Sequence, residues 1–181
     1  MSRHKRILII LVFAVVLIPL AKSGYNKLLD RFLPLKYECY IEKYSEEYGL
    51  DKYLVMGVIR AESSFRNDAH SGVARGLMQL TDDTAKWIAG KLDIDYNEDM
   101  VLKPEVNIKM GCYYLAYLKE HFKDTIAALA AYNAGMGNVT EWLSDSRYSE
   151  DGKTLQSIPF GETKRYVKRV EILSLLYEKL Y

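Results

Sequence analysis

Proline is scarce in this chain of 181 residues, 4 in all, and glycine reaches only 11. A turn-rich β architecture needs both residues at its many corners, so their scarcity favours helices. Cysteine is limited to 2, which excludes a disulfide-dense scaffold. The three histidines, His4, His70 and His121, are scattered without the spacing of a metal site, and no metal is predicted. Charge of one sign is missing as well. The formal net charge is +1, so no strong overall field selects nucleic acid as a partner. There is no internal repeat and no low-complexity run.

Long apolar runs are missing too, with one exception. Behind a basic stub, "MSRHKR", residues 7–21 read "ILIILVFAVVLIPLA" without a charge. Fifteen residues at 1.5 Å rise cover roughly 22 Å, short of the roughly 30 Å hydrocarbon core. That length fits a signal-peptide core or a short signal anchor, and Ala21-Lys22-Ser23 offers small residues at the spacing of a cleavage site. Arg3, Lys5 and Arg6 ahead of it put the N-terminus in the cytoplasm and the rest outside. The expected organisation is therefore 1–24 as basic stub plus signal anchor or signal peptide, 25–35 as juxtamembrane connector and 36–181 as the working domain. The anchor reading places that domain on the outer face of the cytoplasmic membrane, held by a single pass; a cleaved peptide and secretion to the cell wall is the alternative. In such a compartment Cys39 and Cys112 are allowed to pair. Both lie in apolar helical surroundings, so buried free thiols stand beside a disulfide as a reading.

What remains is 49% hydrophobic over the whole chain and rich in tyrosine, 15 residues, enough for one compact core. "KYECYIEKYSEEYG" reads as an amphipathic helix ended by Gly49, and Asp51 caps the next, which runs to about Ser64. "NDAHSGVARG" is a polar loop. Thr81 or Asp82 caps "TDDTAKWIAGKL", and Pro104 opens a long helix. "DTIAALAAYNAG" is a short alanine-rich helix closed by Gly135, "NVTEWL" another, and the last carries the stripe Tyr166, Val170, Leu173, Tyr177, Leu180. The fold predicted is all-α, about seven helices, with minor strand content.

One residue breaks the pattern. In "VMGVIRAESSFR", Leu54, Val55, Val58 and Ile59 form an apolar stripe that Glu62 continues, at +3 from Ile59 and +4 from Val58. A carboxyl against apolar walls loses hydration of its charged form, so its pKa rises and it can hold a proton near neutrality, as a general acid must. The alternative on this helix alone is an ordinary glutamate paired with Arg60 or Arg66.

Three further segments bear on the choice: "GLMQL" at 76–80, "AAYNAG" at 130–135 and "IPFGETKRYVKRV" at 158–170. Together and in this order, Glu62-Ser63-Ser64-Phe65, Gly76-Leu77-Met78-Gln79, Ala131-Tyr132-Asn133-Ala134-Gly135 and Glu162-Thr163-Lys164-Arg165-Tyr166-Val167 resemble the lytic transglycosylase domain of the soluble-lytic-transglycosylase type. The resemblance covers roughly residues 35–176. It departs in two places. "SGVARGLMQ" is one residue shorter than usual before the glycine, and Thr81-Asp82 stands where the family often has Met-Pro, so that methionine's sugar contact does not carry over.

The resemblance implies a lysozyme-like α fold acting on peptidoglycan glycan strands, without cofactor. Glu62 is then the acid and later the base that forms a 1,6-anhydromuramoyl end, with Tyr132 beside it as second catalytic residue. The substrate-binding set it implies is Ser71, Met78, Gln79, Asn133, Glu162 and Tyr166. Ser71, Gln79 and Asn133 bind acetamido and hydroxyl groups, while Glu162 and Tyr166 line the cleft. The catalytic domain is expected to be monomeric. Two rival readings remain at this point: a goose-type-lysozyme-like hydrolase on the same fold, and a non-catalytic wall-binding module. Local wall opening for an envelope-spanning machine is compatible with the first reading, and no partner is named by the residues.

Overall fold

The structure, a computed structural model, describes residues 18–25 and 27–181. The apolar run at 7–21 therefore lies for the most part outside the described residues. The chain divides into two compact units, Met1–Lys36 and Tyr37–Tyr181. In the first, residues 18–25 and 27–32 are helical and largely exposed. Among the described residues no helix is long and apolar enough to cross a membrane.

The second unit is built from seven α-helices, one 3-10 turn and three very short strands. They run α1 (Glu38–Glu47), α2 (Lys52–Glu62), β1 (His70–Ser71), β2 (Ala74–Arg75), β3 (Leu80–Thr81), α3 (Asp82–Lys91), the turn Glu98–Leu102, α4 (Pro104–Phe122), α5 (Thr125–Ala134), α6 (Met136–Ser144) and α7 (Gly161–Leu180). The predicted helix starts are chemically plain. Asp51 accepts from the Tyr53 amide, Thr81 accepts from the Thr84 amide, and Pro104 occupies the first turn of α4, where its missing N–H costs nothing.

The expected polar loop is the main local difference. Residues 70–81 fold as a small antiparallel sheet in the order β1-β2-β3, pairing His70 with Arg75 and Arg75 with Leu80. Period-2 alternation is too short here to be read from sequence, because each strand has two residues. A second difference concerns the thiols: Cys112 is a buried free thiol in α4, whereas Cys39 is a free thiol exposed on α1. The predicted stripe on α7 holds at Tyr166, Val170 and Tyr177, but Leu180 is exposed.

The core lies where α5 is wrapped by its neighbours. Ala127 to Ala131 are all fully buried, which makes α5 apolar on every side, as a central helix is. It packs on α4, α6 and α7. The most extensive helix pair is α2 with α7, and a glycine sets how closely they approach. A Cβ on Gly57 would collide with the Ser174 side chain and stand 3.0 Å from the Val170 carbonyl. This crossing brings the C-terminal end of α2, and with it Glu62, against the first turns of α7.

Candidate active site

Glu62 is the last residue of α2. The six residues Leu54 to Ile59 before it are buried, so the carboxyl leaves the helix from the edge of the core and is itself only partly exposed. Burial pushes its pKa up from 4.5 to about 7, against the Tyr166 hydroxyl and the Arg169 charge, which hold it down. Neither neighbouring arginine plays the part the ordinary-glutamate reading required. Arg60 bonds the Ser64 hydroxyl, and Arg66 Nε donates to the Ser63 carbonyl at 3.3 Å.

Two phenols face this carboxyl from different helices. Tyr166, buried on α7, feels the Glu62 charge, and its hydroxyl makes no hydrogen bond of ordinary length. Burial, reinforced by Glu62, raises the pKa of both Tyr166 and Tyr132 well above the usual phenol value. Both therefore keep their protons at any physiological pH. Tyr132, near the end of α5, donates its hydroxyl proton to the Met78 carbonyl oxygen at 2.8 Å. A phenol committed in that way can only accept at a second partner.

The Met78 carbonyl is itself held in place from α4. Gly76 to Gln79 form the connection between β2 and β3. Asn107, fully buried, donates to the carbonyls of Val101 at 2.8 Å and Arg75 at 3.2 Å, and its Oδ1 accepts from the Met78 amide at 2.7 Å. Gly76 has φ +78 and lies so close to Asn107 that a Cβ would overlap its side chain, so only glycine fits. Leu77 and Met78 have no exposed surface. The Met78 side chain fills the space left by Gly111 on α4. Met78, expected to bind substrate, thus has no side-chain surface to offer. Its contribution is the backbone oxygen that orients Tyr132.

The other expected residues form two groups. Ser71 Oγ donates to Gln79 Oε1 at 2.6 Å, and Gln79 Nε2 donates to the carbonyls of Gly76 and Ala69 at 2.8 and 3.0 Å. Gln79 sits at φ +47, a left-handed conformation disfavoured for a residue with a Cβ. Asn133 Oδ1 accepts from buried Thr163 at 2.8 Å, tying the end of α5 to the start of α7. Asn133 and Glu162 then line an open groove of about 600 Å³ with Phe160 and Thr163. The pairing Ser71–Gln79 arises despite the shortened loop, because β1 and the end of the β2–β3 connection share one small sheet.

Three residues that shape the candidate site were not singled out from the sequence. Arg169 lies at +3 from Tyr166 and so on the same helix face, a signal that was available. Asn107 was signalled only by being a polar residue in an otherwise apolar stretch of α4. Thr163 gave no signal beyond its place in the Glu162–Val167 motif.

An acid retaining its proton to near pH 7, set between a phenol that can accept and one that can donate, is equipped for proton transfer in both directions. Comparison with known proteins gives the family. Residues 39–155 match the family described as the transglycosylase SLT domain. The soluble lytic murein transglycosylase of Salmonella typhimurium is 37% identical over 90% of this chain and 25% of its own length. Membrane-bound lytic murein transglycosylase C of Pectobacterium atrosepticum is 29% identical, over 91% of this chain and 51% of its own. The X-ray structure of an inactive mutant of lytic transglycosylase Slt from Pseudomonas aeruginosa superposes with a TM-score of 0.74 at 34% identity, over 83% of this chain and 25% of that one. The chain thus spans about a quarter of the length of the soluble relative it matches. With the family pattern and the proton-holding glutamate falling on the same helices, this chain belongs to the transglycosylase SLT domain family, in the lysozyme-like superfamily.

Proposed function

We propose that the protein is a peptidoglycan lytic transglycosylase. It cleaves the β-1,4 bond between N-acetylmuramic acid and N-acetylglucosamine and leaves a 1,6-anhydromuramoyl end. The observation that carries this reading is the elevated pKa of Glu62, about 7, between Tyr132 and Tyr166. Glycoside hydrolysis usually employs two carboxyl groups. Here Asp82 is engaged by Arg75 at 3.2 Å and Glu162 is exposed on the groove rim, so the second group is taken from the substrate. Protonated Glu62 gives its proton to the departing glycosidic oxygen, while the 2-acetamido oxygen closes on the anomeric carbon as an oxazolinium. The muramoyl 6-hydroxyl then attacks that carbon, the acetamido group is released, and the Glu62 carboxylate takes up the hydroxyl proton. Because the attack is intramolecular, its entropic cost is met on binding.

The two phenols divide the labour. Tyr132, whose hydroxyl donates to the Met78 carbonyl, keeps its oxygen lone pairs beside the reacting centre, where they stabilise the cationic intermediate. Tyr166 donates to the carboxylate, which Arg169 also favours, and supports the state between steps. Gln79, its two N–H groups taken by the Gly76 and Ala69 carbonyls, presents only an acceptor oxygen, whereas Asn133, its oxygen held by Thr163, presents its Nδ2 donors to the acetamido and hydroxyl groups of the glycan. Glu162 lines the cleft. The basic stub and apolar run at the N-terminus support a single-pass anchor that holds the domain on the outer face of the cytoplasmic membrane.

Incubation of the full chain with purified sacculi, followed by mass spectrometry of the soluble products, tests the reaction. Anhydromuropeptides, lighter by one water than hydrolysis products, are expected from the parent and none from Glu62→Gln. Hydrated reducing ends from the parent would assign the protein to the hydrolases instead.

A further inference from the structure

A second groove, of about 360 Å³, opens between α3 and α4 and is lined by Asp83, Thr84, Trp87, Tyr114, Tyr117 and Met136. Its floor is aromatic. The Trp87 ring stands 4.9 Å from Tyr117 and 6.2 Å from Tyr114, and Tyr114 in turn is 5.4 Å from Tyr132. Trp87 and Tyr117 keep 37% and 38% of their surface exposed, although burial of such rings is worth about 1.5–3 kcal/mol apiece. Exposed rings gathered in a concavity mark a binding surface more often than a packing defect. Two ring contacts, Trp87 to Tyr114 and Tyr114 to Tyr132, link this floor to the tyrosine beside Glu62.

We propose that Trp87, with Tyr117 beside it, is a stacking platform for a neutral N-acetylhexosamine ring of the glycan strand, one that sets the strand length the enzyme grips best. The inference rests on the glycan reading above and adds a specificity-determining position to it. A pyranose presents a C–H face that matches a flat apolar ring, and its edge presents hydroxyl and acetamido groups. Those edge groups meet Asp83 and Thr84 at the start of α3. Thr84 shares a hydrogen bond with Thr81 at 2.8 Å, and Asp82 is taken by Arg75, whereas the exposed Asp83 carboxylate is positioned to accept from a sugar. The same carboxylate repels the lactyl carboxylate of a peptide-free muramoyl residue, which is why the platform favours the neutral sugar. The Lys91 ammonium lies over the Trp87 ring at 5.9 Å from the centroid, and its exposed side chain can yield to a sugar.

The test uses the full chain carrying Glu62→Gln, so that fragments are bound and not cut, with soluble wall glycan fragments of increasing length titrated calorimetrically. Affinity is expected to rise at one step of the ladder, and Trp87→Ala is expected to remove that step, a loss of roughly three- to tenfold, as one ring stack warrants. Short fragments should bind as before. Trp87→Tyr, which keeps a ring and guards against misfolding, should restore most of the step. Asp83→Asn should narrow the preference for neutral over lactyl-bearing termini. Equal losses for short and long fragments, or no loss with Trp87→Ala in a chain of unchanged melting temperature, would overturn the proposal. Failure of the parent to form anhydro ends on sacculi, with the length step intact, would sink the lyase chemistry and leave the platform standing.

Discussion

Glu62, the proposed acid, opposes the stability of the fold that holds it. Its carboxyl has a pKa of 4.5 when solvated and about 7 in the folded chain. Between these values the unfolded chain has released the proton and the folded chain still holds it. Stability therefore falls as pH rises through that window and is lowest above it. The full difference corresponds to about 3 kcal/mol, reduced by whatever water reaches the partly exposed group. Glu62→Gln cannot ionise and escapes this penalty. It is expected to be more stable than the parent at pH 8 by about 1–3 kcal/mol and nearly equal at pH 4, which urea titrations at the two pH values would measure. Parallel stability curves at both would show that the carboxyl is not desolvated. Activity follows the same proton: kcat/KM should fall above about pH 7, where the acid is lost. Arg169→Gln removes a charge that favours the carboxylate, so the falling limb should move to higher pH. A limb left where it was would mean that Arg169 does not act on Glu62.

Among the elements, the β2–β3 connection has the most exacting local requirements. Two hydrogen bonds from one buried side chain, Asn107, to the Met78 amide and the Arg75 carbonyl hold it against α4, a third ties in the turn at Val101, and one of its carbonyls holds Tyr132. Asn107→Ala would leave the Met78 amide and the Val101 carbonyl unpaired, each costing about 1–3 kcal/mol. A destabilisation of about 2–4 kcal/mol is expected by denaturant titration, with a lower kcat in the fraction that stays folded, because Tyr132 loses its fixed acceptor. A variant that kept parental stability and kcat would show that the connection holds its shape unaided. This element was also the least legible in advance. The helices on either side announced themselves through Asp51, Thr81, Pro104 and their apolar periodicity, whereas two-residue strands carry no period. The burial of Leu77 and Met78 depends on Gly111 and Asn107, some thirty residues further along. Local sequence cannot report a partner at that separation, and so Met78 read as a surface contact when it is a peg in the core.

For the protein as a unit, the question is where the domain works. On the anchor reading proposed above, the apolar run at residues 7–21 ties the SLT domain to the membrane and limits it to strands within reach of the segment between them. The full chain is expected to stay with the membrane fraction through an alkaline wash, and a chain starting at Tyr25 to be released. Recovery of a mature N-terminus at Gly24, directly after Ala21-Lys22-Ser23, would establish cleavage and a freely diffusing enzyme.

The residue order alone was enough for the helical class, the seven helices and their caps, and for singling out Glu62 as the candidate acid, because periodicity, capping and an out-of-place carboxylate are all local patterns. Tertiary structure alone decided how far the Glu62 pKa is raised, that the Tyr132 hydroxyl is committed to the Met78 carbonyl, and that Tyr166 and Arg169 are the groups that hold that pKa down. A pKa is set by what surrounds a group in space. Around Glu62 those surroundings come from α5 and α7, some seventy and a hundred residues away, and no local pattern encodes where they meet.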